Sequence, residues 1–419
     1  MKRTPERIIM VVAMIIALAC LVLVVSIQFL LPVFSFPAPR GPYSVGTLTI
    51  RWVDGGRAEL FGDDPADRRE IVAQVWYPTD GLQGARHAPY LENAAKITEA
   101  LARLYHLPPF LLRRLGAVRT NAILDAPLSA GKSRYPLLIY LTGLDGTRQI
   151  STFQVEELAS RGFVVVGLDQ PGTVAYARSA SGKVIEGRSR EIMIPLVEQS
   201  VEPKHPVPSL LGRTWPEGIV PYLAEDVSFV LDRLATIDAT GPAGILADRL
   251  DLDRVGVFGV SLGGMVAAEA CAKDTRLKAC LIMDVHLPAD VVKAGLSQPT
   301  MLITRDADTM RLERRRAGGW TEKDIALTLG TMRSVYERLR GGGYFISIPG
   351  IFHLNFTDVP LWSPLLQRVG MIGPIDPRRA FAIINAYSVA FFERQLLNSR
   401  EPLLDGPSPL YPELRFEAK

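Results

Sequence analysis

Short apolar runs alternate with helix-like segments along most of the chain, and this order constrains the fold more than any other feature. Segments 45–53 and 70–77 alternate apolar with polar residues, as antiparallel strands do. Apolar runs of the fully buried type follow at 136–141, 163–168, 255–260, 279–284, 300–304 and 344–348. Helical patterns separate them at 152–161, 222–237, 264–273, 322–340 and 378–397. The order predicts an α/β domain whose mostly parallel, eight-stranded sheet carries helices on both faces.

Two stretches break this alternation and are expected to be inserts. Residues 90–125 have the pattern of a helical insert before the third strand. Residues 171–221 are rich in proline, glycine and charge, and long connections of this kind are usually lids or binding loops. The domain is therefore expected to span 45–398, with 399–419 as a C-terminal tail. The proline-rich segment 36–44 is predicted to be a short, stiff linker.

The N-terminal segment, residues 1–35, has the pattern of a membrane anchor. Residues 8–31 are almost continuously apolar, and as a helix they would rise about 36 Å, enough to cross a hydrocarbon core of about 30 Å. Lys2, Arg3 and Arg7 precede this run and favour a cytoplasmic N-terminus. The rest of the chain is then expected on the extracytoplasmic side of the cell membrane, periplasmic or extracellular. A cleaved signal peptide, which would give a secreted protein, is the alternative, although its apolar region is usually shorter.

Composition and charge argue against several classes of protein. A formal net charge of +3 over 419 residues gives no reason to expect nucleic acid as a partner. Three cysteines are too few for a disulfide framework, and Cys271 and Cys280 are expected as small buried side chains rather than as a bridge. Five histidines do not favour a site with several metal ligands. No metal or other cofactor is therefore expected, and no oligomeric state is predicted.

The motif Gly259-Val260-Ser261-Leu262-Gly263 lies between a buried strand and a helix. In that context the G-x-S-x-G pattern places its serine on a strained turn, and the small neighbours prevent clashes. The turn exposes the hydroxyl as a nucleophile, while the backbone N–H of Leu262 points at the oxyanion that forms during attack. A helix-start serine between packing glycines is the alternative. A phosphate-binding loop is excluded because no Lys-Ser/Thr pair follows the glycines.

A serine nucleophile needs a histidine base, and in folds of this kind the chain order is serine, acid, histidine. Only His286 and His353 lie beyond Ser261. His353 follows the last strand-like run and opens a loop, where the base is expected, and His286 is interpreted as a pocket or structural residue. Asp284 ends the strand after the nucleophile helix, and Asp308 follows the next strand. Either carboxylate could orient the imidazole, so spacing leaves the acid open.

Five motifs in order resemble those of the platelet-activating factor acetylhydrolase family, within the α/β-hydrolases. They are the opening strands GPYSVGTLTI and REIVAQVWYP, the oxyanion-loop region YPLLIYLTGLDG, the nucleophile turn GVSLGG, the acid segment LIMDVHLP and the histidine segment IFHLNFTD. The likeness runs over about 41–395. The chain departs from the family pattern at Thr142, where a histidine is usual, and at Val260, where a polar or aromatic residue is usual.

The resemblance implies an α/β-hydrolase fold and a set of site residues. It implies Ser261 as the nucleophile, Asp284 as the acid and His353 as the base. It also implies that the backbone N–H groups of Leu144 and Leu262 form the oxyanion hole. Neither departure from the pattern removes one of these backbone donors.

The ordered motifs and the resemblance together imply a serine carboxylic ester hydrolase of the esterase or lipase type. It would cleave short-acyl or lipid esters through an acyl-enzyme, and its partners would be that ester and, through the N-terminal helix, the membrane. A polyester- or cutinase-like esterase is one alternative, supported by the position of Asp308. A non-catalytic, membrane-tethered binding protein on a hydrolase scaffold is the other, because fold alone does not prove activity.

Overall fold

The computed structural model describes residues 10, 12–15, 17–18, 31–81, 84–179, 182–237, 240 and 242–419. The strands among these residues are, in chain order, β1 (Ser44–Ala58), β2 (Arg68–Thr79), β3 (His87–Pro89), β4 (Arg119–Leu124), β5 (Tyr135–Leu141), β6 (Val164–Asp169), β7 (Tyr176–Arg178), β8 (Val184–Glu186), β9 (Ser209–Leu210), β10 (Arg213–Thr214), β11 (Leu250–Val260), β12 (Leu277–Met283), β13 (Thr300–Thr304), β14 (Gly343–Ser347) and β15 (Arg415–Ala418).

Eleven of these strands form one sheet, in the order β15-β14-β13-β12-β11-β5-β6-β2-β1-β4-β3. The six strands from β14 to β6 are parallel, and β15 and β2 flank them in antiparallel pairings. The α/β class and the large, mostly parallel sheet are as predicted. The predicted number of eight strands is wrong for the described chain, because β3, β4 and β15 also join the sheet. β3 and β15 are the edge strands and β4 lies next to β3; all three have exposed positions and lack the buried apolar runs that identify central strands.

The α-helices within the described ranges are, in chain order, α1 (Ala94–Leu104), α2 (Thr152–Ser160), α3 (Arg190–Glu198), α4 (Val220–Ala235), α5 (Leu262–Lys273), α6 (Ala289–Ala294), α7 (Ala307–Ala317), α8 (Glu322–Arg338), α9 (Leu365–Arg368) and α10 (Pro377–Leu397). All five predicted helices are present, with ends shifted by no more than a few residues. The sequence pattern did not predict α3, α6, α7 and α9, which are short or strongly charged.

Both faces of the central strands are covered. Along β5, Leu137 and Ile139 face one apolar layer, whereas Leu138 and Tyr140 face the other, as the two-residue period of a strand requires. Helices α4, α5 and α8 pack on the first face, and α2 and α10 pack on the second. Burial on both sides explains why these strands are continuous apolar runs, and each large side chain so buried contributes about 1.5–3 kcal/mol.

The two predicted inserts have structure of their own. Residues 90–125 contain α1 and two short 3-10 turns, Pro109–Leu111 and Arg113–Ala117, but they also supply β4 to the sheet. Residues 171–221 contain the β7–β8 hairpin, α3 and the β9–β10 hairpin. A salt bridge of 2.8 Å between Arg103 and Glu186 joins the two inserts.

The N-terminal segment and the linker differ in how much the structure describes. The predicted anchor, 1–35, lies largely outside the described residues. In the described part of the chain, no helix combines the length and the apolarity that a membrane crossing demands. The predicted linker packs on the domain, since Phe36 is buried against Tyr90 and the N–H of Tyr43 donates to the Ser160 carbonyl (3.1 Å).

The predicted C-terminal tail is part of the fold. Strand β15 pairs antiparallel with β14, and the N–H of Lys419 donates to the Gly343 carbonyl at 3.0 Å. Arg333 on α8 also pairs with Glu417 at 2.7 Å. The domain therefore does not end at the predicted residue 398, because 415–418 pair with the sheet.

A disulfide joins Cys271, near the end of α5, to Cys280 in β12. The expectation of two unpaired cysteines is wrong. A low cysteine count excludes a framework of bridges, but it does not exclude one bridge between a helix and the next strand. The Cα atoms lie 6.6 Å apart and both side chains are buried.

We expect thiol titration of the unfolded full-length chain to find one free thiol before reduction and three after it, because two of the three cysteines are bridged. The variant Cys271→Ala/Cys280→Ala should unfold at lower denaturant, with a free energy of unfolding lower by about 2–3 kcal/mol, as expected for a short closed loop. Unreduced wild type with three free thiols would contradict the bridge.

Candidate active site

Ser261 lies on the turn between β11 and α5. Its backbone has φ 56° and ψ −132°, a region that residues other than glycine rarely occupy. The N–H of Ser261 donates to the Met283 carbonyl at 3.0 Å, which fixes the turn against the end of β12. The side chain is partly exposed at the carboxyl edge of the sheet. The strain and the placement are those of the nucleophile turn predicted from the motif.

The glycines around Ser261 are required by close packing. A Cβ on Gly263 would lie 2.1 Å from the carbonyl oxygen of Leu141, and one on Gly259 would lie 2.3 Å from that of Gly263. Real atoms do not approach so closely, so a side chain at either position would displace β5, β11 or α5. The small residues of the motif therefore allow the turn to sit tightly on the sheet.

The loop after β5 lies directly against the serine. A Cβ on Gly143 would stand 3.0 Å from the Ser261 Cβ. Hydrogen bonds shape the loop, from Gly146 N–H to the Gly143 carbonyl (3.1 Å) and from Asp145 N–H to the Thr173 carbonyl (2.8 Å). The N–H groups of Leu144 and Leu262 donate to no other group among the described residues. These two donors are thus available at the predicted oxyanion site.

The structure brings Asp284 and His353 together. Asp284 directly follows β12, is fully buried, and accepts a hydrogen bond of 2.6 Å from Nδ1 of His353. Thr304 Oγ1 also donates to this carboxylate at 3.1 Å. Burial alone would raise the pKa of Asp284, but the Arg305 guanidinium and His353 hold it well below its usual range. Asp284 is therefore ionised at neutral pH and holds the imidazole proton on Nδ1, leaving Nε2 as a proton acceptor.

Ser261 and His353 lie at the same edge of the sheet, because β11 and β14 belong to its parallel set. No hydrogen bond joins Ser261 Oγ to the imidazole among the described residues. In enzymes without bound substrate, such contacts are often long and shorten only in the substrate complex.

Asp308, the other candidate acid, lies in the first turn of α7. Its side chain is 91% exposed and pairs with Arg311 at 3.0 Å. It makes no contact with His353. The structure therefore favours Asp284, the residue implied by the family resemblance.

Three residues that the sequence did not indicate surround the acid and the base. Arg305 is fully buried, donates from Nε to Asp284 at 2.9 Å and forms a close ion pair through Nη1 with Glu313. Glu313 also accepts the backbone N–H of His353 at 3.2 Å. The ring of Trp320 lies 4.2 Å from the Arg305 guanidinium carbon and meets the His353 ring edge-on at 5.2 Å. We call Arg305, Glu313 and Trp320 the Arg305 bracket.

His286 and Asp145 lie near the site but outside this network. Burial lowers the pKa of His286, and within the described residues its Nδ1 has no hydrogen-bond partner. Asp145 follows Leu144, the predicted oxyanion donor, and pairs with Arg190 of α3 at 3.0 Å. Burial raises the pKa of Asp145, and Arg190 opposes that change. The Asp145–Arg190 pair attaches the second insert to the oxyanion loop.

No group of three or more histidine, cysteine or carboxylate residues in the described ranges is arranged to hold a metal ion. The chemistry that the site can perform rests on a strained serine, a histidine oriented by an ionised carboxylate and two open backbone donors. This set suits nucleophilic attack on a carbonyl carbon.

Comparison with known families agrees with this chemistry. The model of the family "Platelet-activating factor acetylhydrolase, isoform II" matches residues 31–402. The chain belongs to the platelet-activating factor acetylhydrolase family. The resemblance noted in the sequence is thereby confirmed, and the protein is a carboxylic ester hydrolase.

Several known members of the platelet-activating factor acetylhydrolase family align over most of the chain. A probable 1-alkyl-2-acetylglycerophosphocholine esterase of Arthroderma benhamiae is 24% identical over 91% of this chain and 94% of its own length. The platelet-activating factor acetylhydrolase of Cavia porcellus is 23% identical over 86% of this chain and 78% of its own. Among solved structures, a ferulic acid esterase from Streptomyces cinnamoneus is similar with a TM-score of 0.69 and 27% identity, covering 91% of this chain and 99% of that one.

Proposed function

We propose that this acetylhydrolase relative cleaves short-acyl or lipid carboxylic esters through an acyl-enzyme on Ser261. The observation that carries the proposal is the 2.6 Å hydrogen bond between His353 and the buried Asp284 at the sheet edge that holds the strained serine. A histidine oriented in this way can act as a base toward a neighbouring hydroxyl.

The mechanism follows from the positions of these groups. His353 takes the proton of Ser261 through Nε2 as the serine oxygen attacks the ester carbonyl carbon. The N–H groups of Leu144 and Leu262 stabilise the oxyanion, and Asp284 stabilises the imidazolium. The imidazolium then protonates the leaving alcohol, and the C–O bond to it breaks. Water, deprotonated by His353, attacks the acyl-enzyme and releases the carboxylic acid.

The alternatives raised by the sequence have less support. Asp308 was the feature that favoured a polyester- or cutinase-like esterase, and it is exposed and paired with Arg311. A non-catalytic binding protein would have no use for a strained serine, an ionised buried acid and an oriented histidine in one place. Likeness to the ferulic acid esterase favours one further substrate class, the aryl-substituted acyl esters, as a second candidate.

We also propose that the domain works outside the cytoplasm, anchored by the N-terminal apolar run. The basic residues Lys2, Arg3 and Arg7 before that run support this orientation. The disulfide Cys271–Cys280 adds independent support, because disulfides persist mainly in oxidising compartments. Protease accessibility of the domain in intact cells would test the proposal, and full protection would contradict it.

The first experiment is hydrolysis of p-nitrophenyl esters from acetate to palmitate, with methyl ferulate as an aryl ester. We expect activity that peaks on short acyl chains and disappears in Ser261→Ala, because the acetylhydrolase relatives are named for short-acyl substrates. A peak on palmitate would favour a lipase or polyesterase pocket, and a preference for ferulate would favour the second candidate. A folded protein that hydrolyses none of these esters would contradict the proposal.

A further inference from the structure

We propose that Arg305 and Glu313 act as a matched pair of positioning residues for the acid and the base. Arg305 holds the Asp284 carboxylate in place, and Glu313 cancels the charge of Arg305 so that the imidazolium stays stabilised during catalysis. This inference rests on the proposed function and extends it to residues that do not touch the substrate.

Arg305 fixes the carboxylate by geometry. Its Nε lies 2.9 Å from both carboxylate oxygens of Asp284. Thr304 Oγ1 donates to Oδ1 at 3.1 Å, and Oδ2 accepts from His353 Nδ1 at 2.6 Å. The planar guanidinium permits little freedom, because Nη1 is held by Glu313 and the face is covered by Trp320. A buried cation therefore helps to set the orientation of the Asp284 carboxylate.

A buried cation at this position creates an electrostatic problem. A catalytic carboxylate must stabilise the imidazolium by its negative charge, yet the positive charge of Arg305 offsets that of the ionised Asp284. Glu313 resolves the problem, because its carboxylate brings the net charge of the three side chains to minus one. When His353 becomes charged, the cluster of four is neutral. The full attraction of one carboxylate for the imidazolium is thus restored.

The side chains of the cluster are buried, so their charges interact strongly. Arg305 and Asp284 are fully buried, and the Glu313 side chain is 8% exposed. Interactions between charges become stronger as the local dielectric constant falls, and this constant is far lower in a buried cluster than in water. Glu313 is also tied to the base directly, since its Oε2 accepts the backbone N–H of His353. Glu313 therefore supplies the compensating negative charge and also helps to hold the backbone of His353 in place.

Other titratable groups face His353 from neighbouring elements. His286 lies after β12 and interacts with the imidazole electrostatically, and around His286 stand Glu198 of α3, Glu202 and Asp324 of α8. None of these groups is hydrogen-bonded to His353 or Asp284. Because they are unchanged in variants of Arg305 and Glu313, their effect cancels when such variants are compared with the wild type.

The test is the pH profile of kcat/KM for a short-chain ester in full-length variants. The acidic midpoint is the pH at which kcat/KM falls to half its maximum on the acidic side of the profile. Glu313→Gln removes a negative charge near the imidazole, so this midpoint should move to lower pH by about one unit. Arg305→Met removes a positive charge, so the midpoint should move to higher pH. In Arg305→Met/Glu313→Gln the net charge of the cluster is that of the wild type, so the acidic midpoint should return to the wild-type value. The kcat of this double variant should stay about tenfold below the wild type, because Arg305 no longer holds the Asp284 carboxylate in place.

Two further variants separate charge from packing. Arg305→Lys keeps the charge but not the planar contacts, so kcat should fall while the midpoint stays in place. Glu413→Gln removes a carboxylate from a remote arginine pair, Arg379–Glu413 at 2.6 Å, and should leave the profile unchanged. If Arg305→Met does not fold because it strands two buried carboxylates, Glu313→Gln and the double variant still decide the outcome.

The inference is overturned if the acidic midpoint of Glu313→Gln coincides with that of the wild type, or if both single changes move it in the same direction. NMR of the histidine resonances, of which the chain has only five, gives the same midpoint without substrate. Absence of ester hydrolysis in the wild type would therefore refute the proposed function, while the opposite NMR shifts of the two single variants would still support the Arg305 bracket.

Discussion

Replacing Ser261 by alanine will lower kcat for ester hydrolysis on the order of 10⁶-fold, as in other serine hydrolases that lose their nucleophile. In the proposed mechanism the hydroxyl oxygen forms the covalent bond to the acyl group, so its removal takes away the nucleophile. The protein should remain folded, since alanine removes one oxygen from a partly exposed turn. Steady-state kinetics with p-nitrophenyl acetate, together with thermal unfolding, measure both effects.

Ser228→Ala is a matched control for this substitution. Ser228 lies on α4 and donates to Asp274 at 2.7 Å, at the far end of the nucleophile helix. Its loss should change activity by less than about twofold, because surface and peripheral substitutions leave a distant site intact. Substantial turnover by Ser261→Ala would show that another group attacks the ester.

Asp284→Asn will reduce kcat by about 10⁴-fold, whereas Asp308→Asn will leave it within about twofold. An amide at position 284 cannot hold the imidazole in the required tautomer, and it loses the charge that stabilises the imidazolium. Asp308 is 91% exposed and pairs only with Arg311 among the described residues, so its amide form changes little. Comparison of kcat for the two variants, each checked for folding, decides between the carboxylates.

The reverse pattern, with Asp308→Asn inactive, would reassign the acid to the position that spacing alone had left open. Loss of activity in both variants would point to general damage instead, and thermal unfolding would reveal it. The two variants change the same chemical group at positions separated by one strand, so each serves as the control for the other.

A candidate nucleophile and a candidate base can be predicted from the sequence because their signals are local. Ser261 lies in a strand–turn–helix pattern whose glycines are needed for close packing, and His353 follows the last central strand. The acid was ambiguous because Asp284 and Asp308 both follow buried strands. Only the folded chain shows that one carboxylate is buried beside the imidazole and the other is solvated.

The features that the sequence missed depend on contacts between distant segments. Arginine is seldom fully buried, so nothing in the chain marks Arg305 as an interior residue. Its burial depends on Asp284, Glu313 and Trp320, which approach it only after folding. Strands β3, β4 and β15 could not be predicted for the same reason, since strands at or next to the edge of a sheet are defined by the partner they join.

Because strand β15 belongs to the sheet, the folded domain extends beyond the region that matches the family. The family match ends at residue 402, but β14 obtains its outer hydrogen-bond partner from 415–418. A protein shortened to the matched region would leave the outer edge of β14 unpaired, only a few residues from the loop that carries His353. Unpaired edge strands associate with other chains. We expect such a truncated protein to be more prone to aggregate, because the apolar strand β14 would replace the charged, largely exposed β15 as the edge of the sheet.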